Sequence, residues 1–196
     1  MLLSILIPTI KKHSRLFKLL EQSLISQMFS YSGQVELLSD DHETDSIGTK
    51  RNRLLGRVKG KYSCFIDSDD RVSINYISLL MEGLKNDVDC CSLKGIISTN
   101  GEDRQYFEHS IMYNEYRTNK DASFELGQIK YERFPNHLSC IKSGIAKQFK
   151  FPETNWGEDT DWATQIHKSG LLRNEYFIEE VLYLYDYITN KQQYEL

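Results

Sequence analysis

The chain has 196 residues, a length typical of one domain with a single sizeable core. Hydrophobic residues make up 40% and charged residues 27% of the sequence, and this composition excludes disordered, collagenous and coiled-coil proteins. The net charge of −4 provides no overall attraction for nucleic acid or anionic lipid. We therefore expect a folded cytoplasmic protein for which nucleic acid is a disfavoured partner.

The cysteines do not indicate a zinc site or a disulfide-rich fold, and the apolar N-terminus does not indicate a signal peptide. The four cysteines lack the paired spacing of a zinc site and are too sparse for a disulfide scaffold, so reduced, buried thiols are predicted. The N-terminal apolar run reaches Pro8 too soon for a signal peptide, and no stretch approaches the roughly 20 apolar residues that span a bilayer. The sequence predicts at most peripheral membrane contact and leaves the oligomeric state open.

The first 85 residues alternate between strand and helix patterns. Strands are predicted at Leu2–Ile7, Val35–Leu38 and Tyr62–Ile66, and helices at Ser14–Met28, about Lys50–Val58 and Tyr76–Leu84. We expect Ser73 to cap the third helix. Such alternation predicts parallel strands with right-handed crossovers and helices on both faces of the sheet.

The second part of the chain predicts antiparallel additions to that sheet. A strand at Asp89–Ser98 leads through the turn dipeptide Asn100-Gly101 to a strand near Gln105–His109. Residues 111–135 have weak periodicity and are predicted to be mostly loop, with one possible strand at Gln128–Phe134. A short helix near Ser143–Phe149, a helix at about Glu158–Ser169 and an aromatic strand near Tyr176–Tyr187 complete the predicted elements.

Acidic residues follow two of the predicted strands. Asp40-Asp41 ends the second strand, and Asp67-Ser68-Asp69-Asp70 ends the third. Ligands of open α/β sheets bind beyond the carboxyl ends of the strands, where these carboxylates would meet. Clustered carboxylates repel one another unless a cation joins them, and their oxygens suit Mg²⁺ or Mn²⁺. The pattern indicates a site for a metal and a diphosphate, although acids that cap helices and solvate turns would give the same pattern.

The turn after the first strand contains neither of the common glycine-rich phosphate motifs. The absence of GxGxxG and GxxxxGK[ST] excludes dinucleotide dehydrogenases and P-loop enzymes. Phosphate charge would then be met by a metal and by Lys50, Arg51 or Arg53. The alternative is that these three side chains form a solvated helix face.

A second acidic segment, Trp156 to Trp162, lies at a predicted junction of loop and helix. One of its carboxylates could act as a general base that takes the proton of an acceptor hydroxyl. The two tryptophans could form the floor of a sugar site. The alternative is that Asp159 or Thr160 caps the helix.

These segments together resemble the glycosyltransferase family 2 enzymes of GT-A fold, in a small form of bacterial or phage type. The matching stretches are LSILIPTI from Leu3, VELLSDD from Val35, SIGTKRNRLL from Ser46, GKYSCFIDSDDRVS from Gly60 and GEDTDWA from Gly157. The resemblance implies an α/β, Rossmann-like three-layer sandwich with a mixed, mainly parallel central sheet and a small antiparallel extension. It also implies one domain over 1–196, with a nucleotide-sugar-binding half over about 1–97 and an acceptor half over about 98–196.

The resemblance further implies a nucleotide-sugar donor, usually UDP-linked, and assigns residues around it. Pro8, Thr9 and Asp40 would surround the nucleoside, while Lys50 and Arg51 are weaker assignments as nucleotide or phosphate contacts. In the DxD-type segment Asp67-Ser68-Asp69, Asp69 would bind the Mn²⁺ or Mg²⁺ ion that holds the diphosphate. Asp67 would lie near the ribose and the same ion.

The same resemblance assigns the chemistry to Asp159, as the base that activates the acceptor, with Glu158 as its neighbour. The reaction would invert the anomeric centre in one displacement. A surface glycan is the expected acceptor, and a hydroxymethylated DNA base is less favoured because the chain is acidic. His137 could face the diphosphate or acceptor but is more often a satisfied structural histidine, and Tyr183, Tyr185 and Tyr187 are more often strand packing than a sugar platform.

Two other functions remain open from the sequence. A nucleotide-sugar-binding domain without turnover would keep the same fold. A haloacid-dehalogenase-like phosphatase also uses two aspartates two positions apart, but that pair follows the first strand, whereas Asp67 and Asp69 follow the third.

Overall fold

A computed structural model describes residues 1–189 of the protein. Its helices are α1 (Ser14–Met28), α2 (Ile47–Arg57), α3 (Tyr76–Gly83), α4 (Ser143–Ala146) and α5 (Glu158–Ser169). Its strands are β1 (Leu3–Pro8), β2 (Val35–Asp40), β3 (Tyr62–Phe65), β4 (Arg71–Val72), β5 (Cys90–Thr99), β6 (Glu102–His109), β7 (Arg117–Thr118), β8 (Ile129–Arg133), β9 (Cys140–Lys142) and β10 (Glu175–Tyr187). No helix in this part of the chain is both long and apolar enough to cross a membrane.

The strands form one mixed sheet. β1 lies between β2 and β3 and is parallel to both. The short β9 runs antiparallel to both β3 and β5, and so connects this parallel part to the second part of the sheet. There, β5 is antiparallel to β6 and parallel to β10, and β6 is parallel to β8. This topology confirms the predicted α/β class with a mixed central sheet.

Apolar side chains cover both faces of the sheet. Leu3, Ile5 and Ile7 of β1 pack with α1 and α3, whereas Leu6 points to the opposite face and packs with α2 and α5. Side chains of a strand alternate between faces, so a strand with apolar residues on both faces must be covered on both sides. The three-layer arrangement is thus encoded in the first strand, where Ser4 is the one polar residue. All four cysteines are buried and free, as predicted.

The elements that the sequence did not predict are the short ones. β4 and β7 contain two residues each and β9 contains three. A periodic pattern needs several residues to be recognised, so strands of this length leave no signal. In the weakly patterned segment 111–135, the possible strand is confirmed as β8.

Helix α2 has a side-chain cap, and α3 does not. The Ser46 hydroxyl accepts a hydrogen bond from the Thr49 N–H at 3.2 Å. The expected cap by Ser73 is wrong, because α3 begins at Tyr76 and Asn75 occupies its N-cap position, two residues after Ser73. The Ser73 hydroxyl accepts from the Asn75 N–H instead.

Replacing the α2 cap should therefore destabilise the protein measurably. We expect Ser46→Ala to lower the free energy of unfolding by about 1 kcal/mol, because a helix N–H loses its partner. Ser73→Ala, outside a helix cap, is the matched control and should cost clearly less. Urea denaturation of both variants checks this, and an equal loss in the two would contradict the assignment of the cap.

Candidate active site

Two cavities open at the edge of the sheet where β1 and β3 end. The smaller, of about 260 Å³, is lined by five of the predicted donor-site residues, namely Pro8, Thr9, Lys50, Asp67 and Asp69. Pro8 is the last residue of β1, and Asp67 and Asp69 lie in the turn that follows β3. Parallel strands bring their carboxyl ends to one edge, so these residues meet although they are some 60 positions apart in the chain.

The larger cavity, of about 500 Å³, has a sheet floor. The floor is formed by side chains from one face of four adjacent strands, namely Tyr183 and Tyr185 of β10, Ile97 of β5, Phe107 and His109 of β6, and Tyr131 and Arg133 of β8. A side chain at Gly95 of β5 would collide with the Phe107 ring, with Cβ only 2.2 Å from Cζ. Asp159 in the first turn of α5 also lines this cavity. Asp67 and Tyr185 line both cavities, which therefore adjoin.

A buried arginine joins the two acidic segments. Arg51 of α2 donates from one nitrogen to Asp67 Oδ1 and from another to Glu158 Oε1, both at 2.6 Å. The arginine side chain is 2% exposed and the glutamate side chain 6%, whereas Asp67 retains 29% exposure. The alternative of a solvated helix face is wrong for Arg51, which points inward and fixes the turn after β3 relative to the start of α5.

The charges of this triad shift one another. Burial alone would raise the pKa of Asp67, but the charge of Arg51 and a contact with His137 hold it well below its usual range. Burial raises the pKa of Glu158, and the charge of Arg51 only partly opposes that rise. Asp67 is therefore ionised at neutral pH, as a group beside a cation should be.

His137 lies between the carboxylates of the two cavities. Its Nε2 is 3.5 Å from Asp67 Oδ2, and its Nδ1 is 3.6 Å from Asp159 Oδ2. The ring is buried, and neither nitrogen has a hydrogen-bond partner within the described residues. His137 is thus not the satisfied structural histidine that the sequence favoured, and it faces the larger cavity.

Tyr183 ties the floor of the larger cavity to the turn after β3. Its hydroxyl donates to Asp70 Oδ2 at 2.6 Å and accepts from the Asp67 N–H at 3.1 Å. Burial, together with the charges of Asp67 and Asp69, raises the pKa of Asp70 well above its ordinary value. Tyr183 therefore combines strand packing with a polar contact at the site.

Lys50 and Asp40 are held by contacts within the protein. The Lys50 ammonium, which is buried, donates to the Thr9 carbonyl oxygen at 2.7 Å while its side chain lines the smaller cavity. Asp40 accepts both from Arg53, at 2.9 and 3.1 Å, and from the His42 N–H. The Asp40 side chain does not line either cavity, whereas Pro8 and Thr9, the other two predicted nucleoside contacts, line the smaller one.

The start of α5 differs from two expectations. Gly157, with φ of 76°, occupies the N-cap position and no side chain caps the helix, so neither Asp159 nor Thr160 is a cap. Trp162 is 2% exposed and stacks on Phe151 at 4.6 Å in the core, so it is not a sugar floor. Trp156 is 86% exposed and lies on the loop before the helix. Asp159 is left facing the cavity rather than the helix backbone.

The smaller cavity offers one carboxylate suited to a metal. Among residues 1–189, no three His, Cys, Asp or Glu side chains form a cluster that could hold a metal ion. Magnesium commonly takes only one or two protein carboxylates and completes its shell with water and phosphate oxygens. Asp69 lines the cavity with 26% of its side chain exposed and lies 3.7 Å from His13 Nδ1, while one oxygen of Asp67 accepts directly from the Arg51 guanidinium. Asp69 therefore fits a single-carboxylate site better than Asp67 does.

The sequence also matches a known family. The model of glycosyl transferase family 2 matches residues 18–145, about two thirds of the chain. This chain belongs to glycosyl transferase family 2. Two pairs of predicted site residues lie outside the matched stretch of this family 2 protein. Pro8 and Thr9 precede it, and Glu158 and Asp159 follow it. Comparison with curated protein sequences gave no match.

Solved structures share the fold of this family 2 protein. S. aureus TarS 1-349 aligns with a TM-score of 0.60 and 15% identity over 95% of this chain and 60% of that one. The same TarS fragment in complex with UDP-GlcNAc aligns with a TM-score of 0.60 and 14% identity over 95% and 58% of the two chains. This chain thus spans about 60% of the length of those fragments. At this identity the likeness supports the fold alone, and it agrees with the GT-A class.

Sequence reasoning missed part of the larger cavity of this family 2 protein. His109, Tyr116 and Arg133 line it, and none of them stood in a motif. His109 and Arg133 are register partners on β6 and β8, which are 24 positions apart in the chain. Only the register of these two strands brings the two side chains to one face, and a sequence pattern does not contain that register.

His109 should make the free energy of unfolding decrease as the pH falls below about 6.5. Burial, aided by the charges of His137 and Arg133, lowers its pKa from 6.5 to about 3. A histidine with a depressed folded pKa contributes stability above pH 6.5 that is lost as the pH falls toward 3, because the unfolded chain takes up a proton and the folded chain does not.

We therefore expect His109→Gln to reduce the loss of unfolding free energy between pH 7 and pH 5. The reduction should be about 1.4 kcal/mol per pH unit below pH 6.5. Urea denaturation at several pH values measures it. His42→Gln, at a 61% exposed side chain that lies 3.2 Å from Asp45, is the control and should change the slope less than His109→Gln. A slope in His109→Gln equal to that of the wild type would contradict the prediction.

Proposed function

We propose that the protein transfers a sugar from a nucleotide-sugar donor, most simply UDP-linked, to an acceptor hydroxyl with inversion of the anomeric centre. The observation that carries the proposal is the meeting of two cavities at Asp67, with the predicted donor residues in one and Asp159 in the other. Membership of glycosyl transferase family 2 supports it, as does the fold shared with TarS, whose solved structures include complexes with UDP-GlcNAc and UDP.

In this proposal the nucleotide diphosphate occupies the smaller cavity. Pro8 and Thr9 border the nucleoside, and Lys50 supplies positive charge while it donates to the Thr9 carbonyl. Asp69 would hold a Mn²⁺ or Mg²⁺ ion. Such an ion, when bound, neutralises the charge that develops on the departing diphosphate. Asp67, fixed by Arg51, borders both the nucleotide and the transferred sugar.

Asp159 acts as the general base in this mechanism. It takes the proton of the acceptor hydroxyl as the oxygen attacks the anomeric carbon, and the carbon–oxygen bond to the diphosphate breaks on the opposite face. His137, 3.6 Å from Asp159, orients this carboxylate, and Glu158 positions the helix through Arg51. We propose that the chain forms one domain with a donor half over about 1–97 and an acceptor half over about 98–196, a cytoplasmic location and a glycan acceptor. The smaller cavity is lined mainly by the first half and the larger cavity mainly by the second.

Nucleotide binding tests the donor half of this proposal. UDP, GDP, CDP, TDP and ADP are titrated by thermal shift with Mn²⁺ or with EDTA, because a ligand of the folded state raises the melting temperature. We expect metal-dependent stabilisation by one nucleotide, and its loss in Asp69→Asn but not in Asp41→Asn, a change at an exposed residue outside the cavities. No stabilisation by any nucleotide would contradict the donor site. Binding without hydrolysis or transfer of the sugar would favour the alternative of a non-catalytic binding domain.

A further inference from the structure

The larger cavity contains a cation that no acidic side chain neutralises. Within residues 1–189, Arg133 forms no salt bridge, and its guanidinium contacts are with aromatic rings. The guanidinium carbon lies 4.5 Å from the Tyr116 ring centroid and 5.8 Å from that of Tyr131. Aromatic faces hold a guanidinium in a fixed plane and leave its N–H edges free to donate.

The carboxylates of the same cavity have neighbours other than Arg133. Asp67 is paired with Arg51, Asp70 accepts from Tyr183, and Asp159 lies beside His137. None of these three acids therefore serves as the partner of Arg133. A half-buried arginine that lines a cavity without a counter-charge from the protein can donate to an anionic ligand there.

Polar atoms beside Arg133 are also unpaired. His109 is the register partner of Arg133 on the neighbouring strand, and its Nδ1 is buried without a hydrogen-bond partner among the described residues. The side chain is 2% exposed and lines the cavity. The Tyr116 hydroxyl, whose pKa burial raises to about 12, is likewise unpartnered in the described chain and lines the same wall. A neutral tyrosine hydroxyl can donate to an anion, as can a histidine N–H.

We propose that this wall, formed by Arg133, His109 and Tyr116, binds a carboxylate or phosphate group carried by the acceptor sugar. The inference rests on the proposed function and specifies its acceptor as an anionic sugar. Arginine binds both groups through paired N–H donors, so the chemistry is common to the two.

The position of the wall assigns the anion to the acceptor rather than to the donor. Arg133 is on β8, three strands from β10, whose Tyr185 borders the smaller cavity. Neighbouring strands lie about 4.8 Å apart, so the two strands are separated by about 14 Å. This separation of the backbones places the wall on the side of the larger cavity away from the smaller one. The charge of Asp159 also contributes to the raised pKa of Tyr116 in the wall, so the wall borders an acceptor held at the proposed base.

Binding of matched sugars tests the inference. Glucose 6-phosphate, glucuronate and neutral glucose are titrated by calorimetry into the protein, with and without UDP and Mg²⁺. We expect at least one of the two anionic sugars to bind roughly tenfold or more tightly than glucose. Arg133→Gln should abolish that preference, and Arg133→Lys should retain part of it, because lysine keeps the charge but not the paired donors. Arg117→Gln, at an exposed arginine outside the cavity, is the control that should keep it.

The outcomes separate this inference from the proposed function. Equal binding of all three sugars, or no binding by either anionic sugar, overturns the inference even when UDP binds normally. A preference that survives in Arg133→Gln overturns it as well. UDP-glucuronate and UDP-glucose are titrated in parallel. An Arg133-dependent preference for UDP-glucuronate over UDP-glucose, with none among the free sugars, would assign the anion to the donor and also overturn the inference. Failure of UDP to bind would instead contradict the donor site and leave the result with the free sugars to be judged on its own.

Discussion

Asp159→Asn should lower the rate of sugar transfer by about 10²- to 10⁴-fold, the usual contribution of a general base. The amide keeps the size of the carboxylate but cannot take the proton of the acceptor hydroxyl. Asp159 lines the larger cavity rather than the smaller one, so the affinity for UDP and metal should stay near the wild-type value. Rates of transfer, or of donor hydrolysis with water as the acceptor, are compared with the nucleotide affinity from calorimetry.

Asp161→Asn is the matched control for this experiment. Asp161 lies in the same first turn of α5, but its side chain is exposed and does not line either cavity. Both substitutions remove one negative charge near the same helix N-terminus, so a shared effect on stability cancels in the comparison. Near-normal turnover in Asp159→Asn would show that the base is another group. A comparable loss in both variants would show that the helix charge, and not proton transfer, is responsible.

Much of the fold follows from local sequence signals. The apolar run of the first strand, the helical period of α1 and α3, and the acids after β3 all depend on residues close together in the chain, so the parallel part of the sheet and its functional edge were predictable. Trp162 could also have been placed in the core. It precedes Ile166 by four positions, so the two share one helix face, and both are buried.

The role of Arg51 had no such signal. Its carboxylate partners are 16 and 107 positions away in the chain. Charged side chains in helices are mostly exposed, so a local pattern favours a solvated face. The wall of the larger cavity was hidden for a related reason, because the register of β6 and β8 places His109 beside Arg133. Both features depend on tertiary contacts that no local pattern records.

Arg51→Met should be the most destabilising single charge change in the described chain. It would leave Glu158 buried without its cation and deprive Asp67 of its main partner. Removing one member of a buried ion pair typically costs 3–5 kcal/mol, because an uncompensated charge remains in a poorly solvated place. Methionine keeps most of the apolar volume beside Phe65 and Phe151, so the loss reports on charge more than on packing. Urea denaturation near pH 7.5 measures it.

Two comparisons separate charge from packing in this result. Arg57→Met, at an exposed arginine of the same helix that donates to the Ser39 carbonyl, should change the unfolding free energy by less than about 0.5 kcal/mol. The double variant Arg51→Met with Glu158→Gln should recover part of the loss, because a neutral amide replaces the orphaned charge. Additive effects of the two substitutions would contradict a direct pairing.

The pH dependence of Arg51→Met gives a third comparison with a definite sign. Burial already raises the pKa of Glu158 with Arg51 present, and loss of that cation must raise it further. When the pKa of a carboxyl is higher in the folded protein than in the unfolded chain, its protonated form stabilises the fold. That contribution to the unfolding free energy is fully present below the unfolded pKa of about 4.3, and it is lost as the pH rises through the folded pKa. The deficit of Arg51→Met relative to wild type should therefore be smaller at pH 5 than at pH 8. A deficit that does not change over this range would mean that Arg51 stabilises the junction of α2 and α5 through packing and not through its charge.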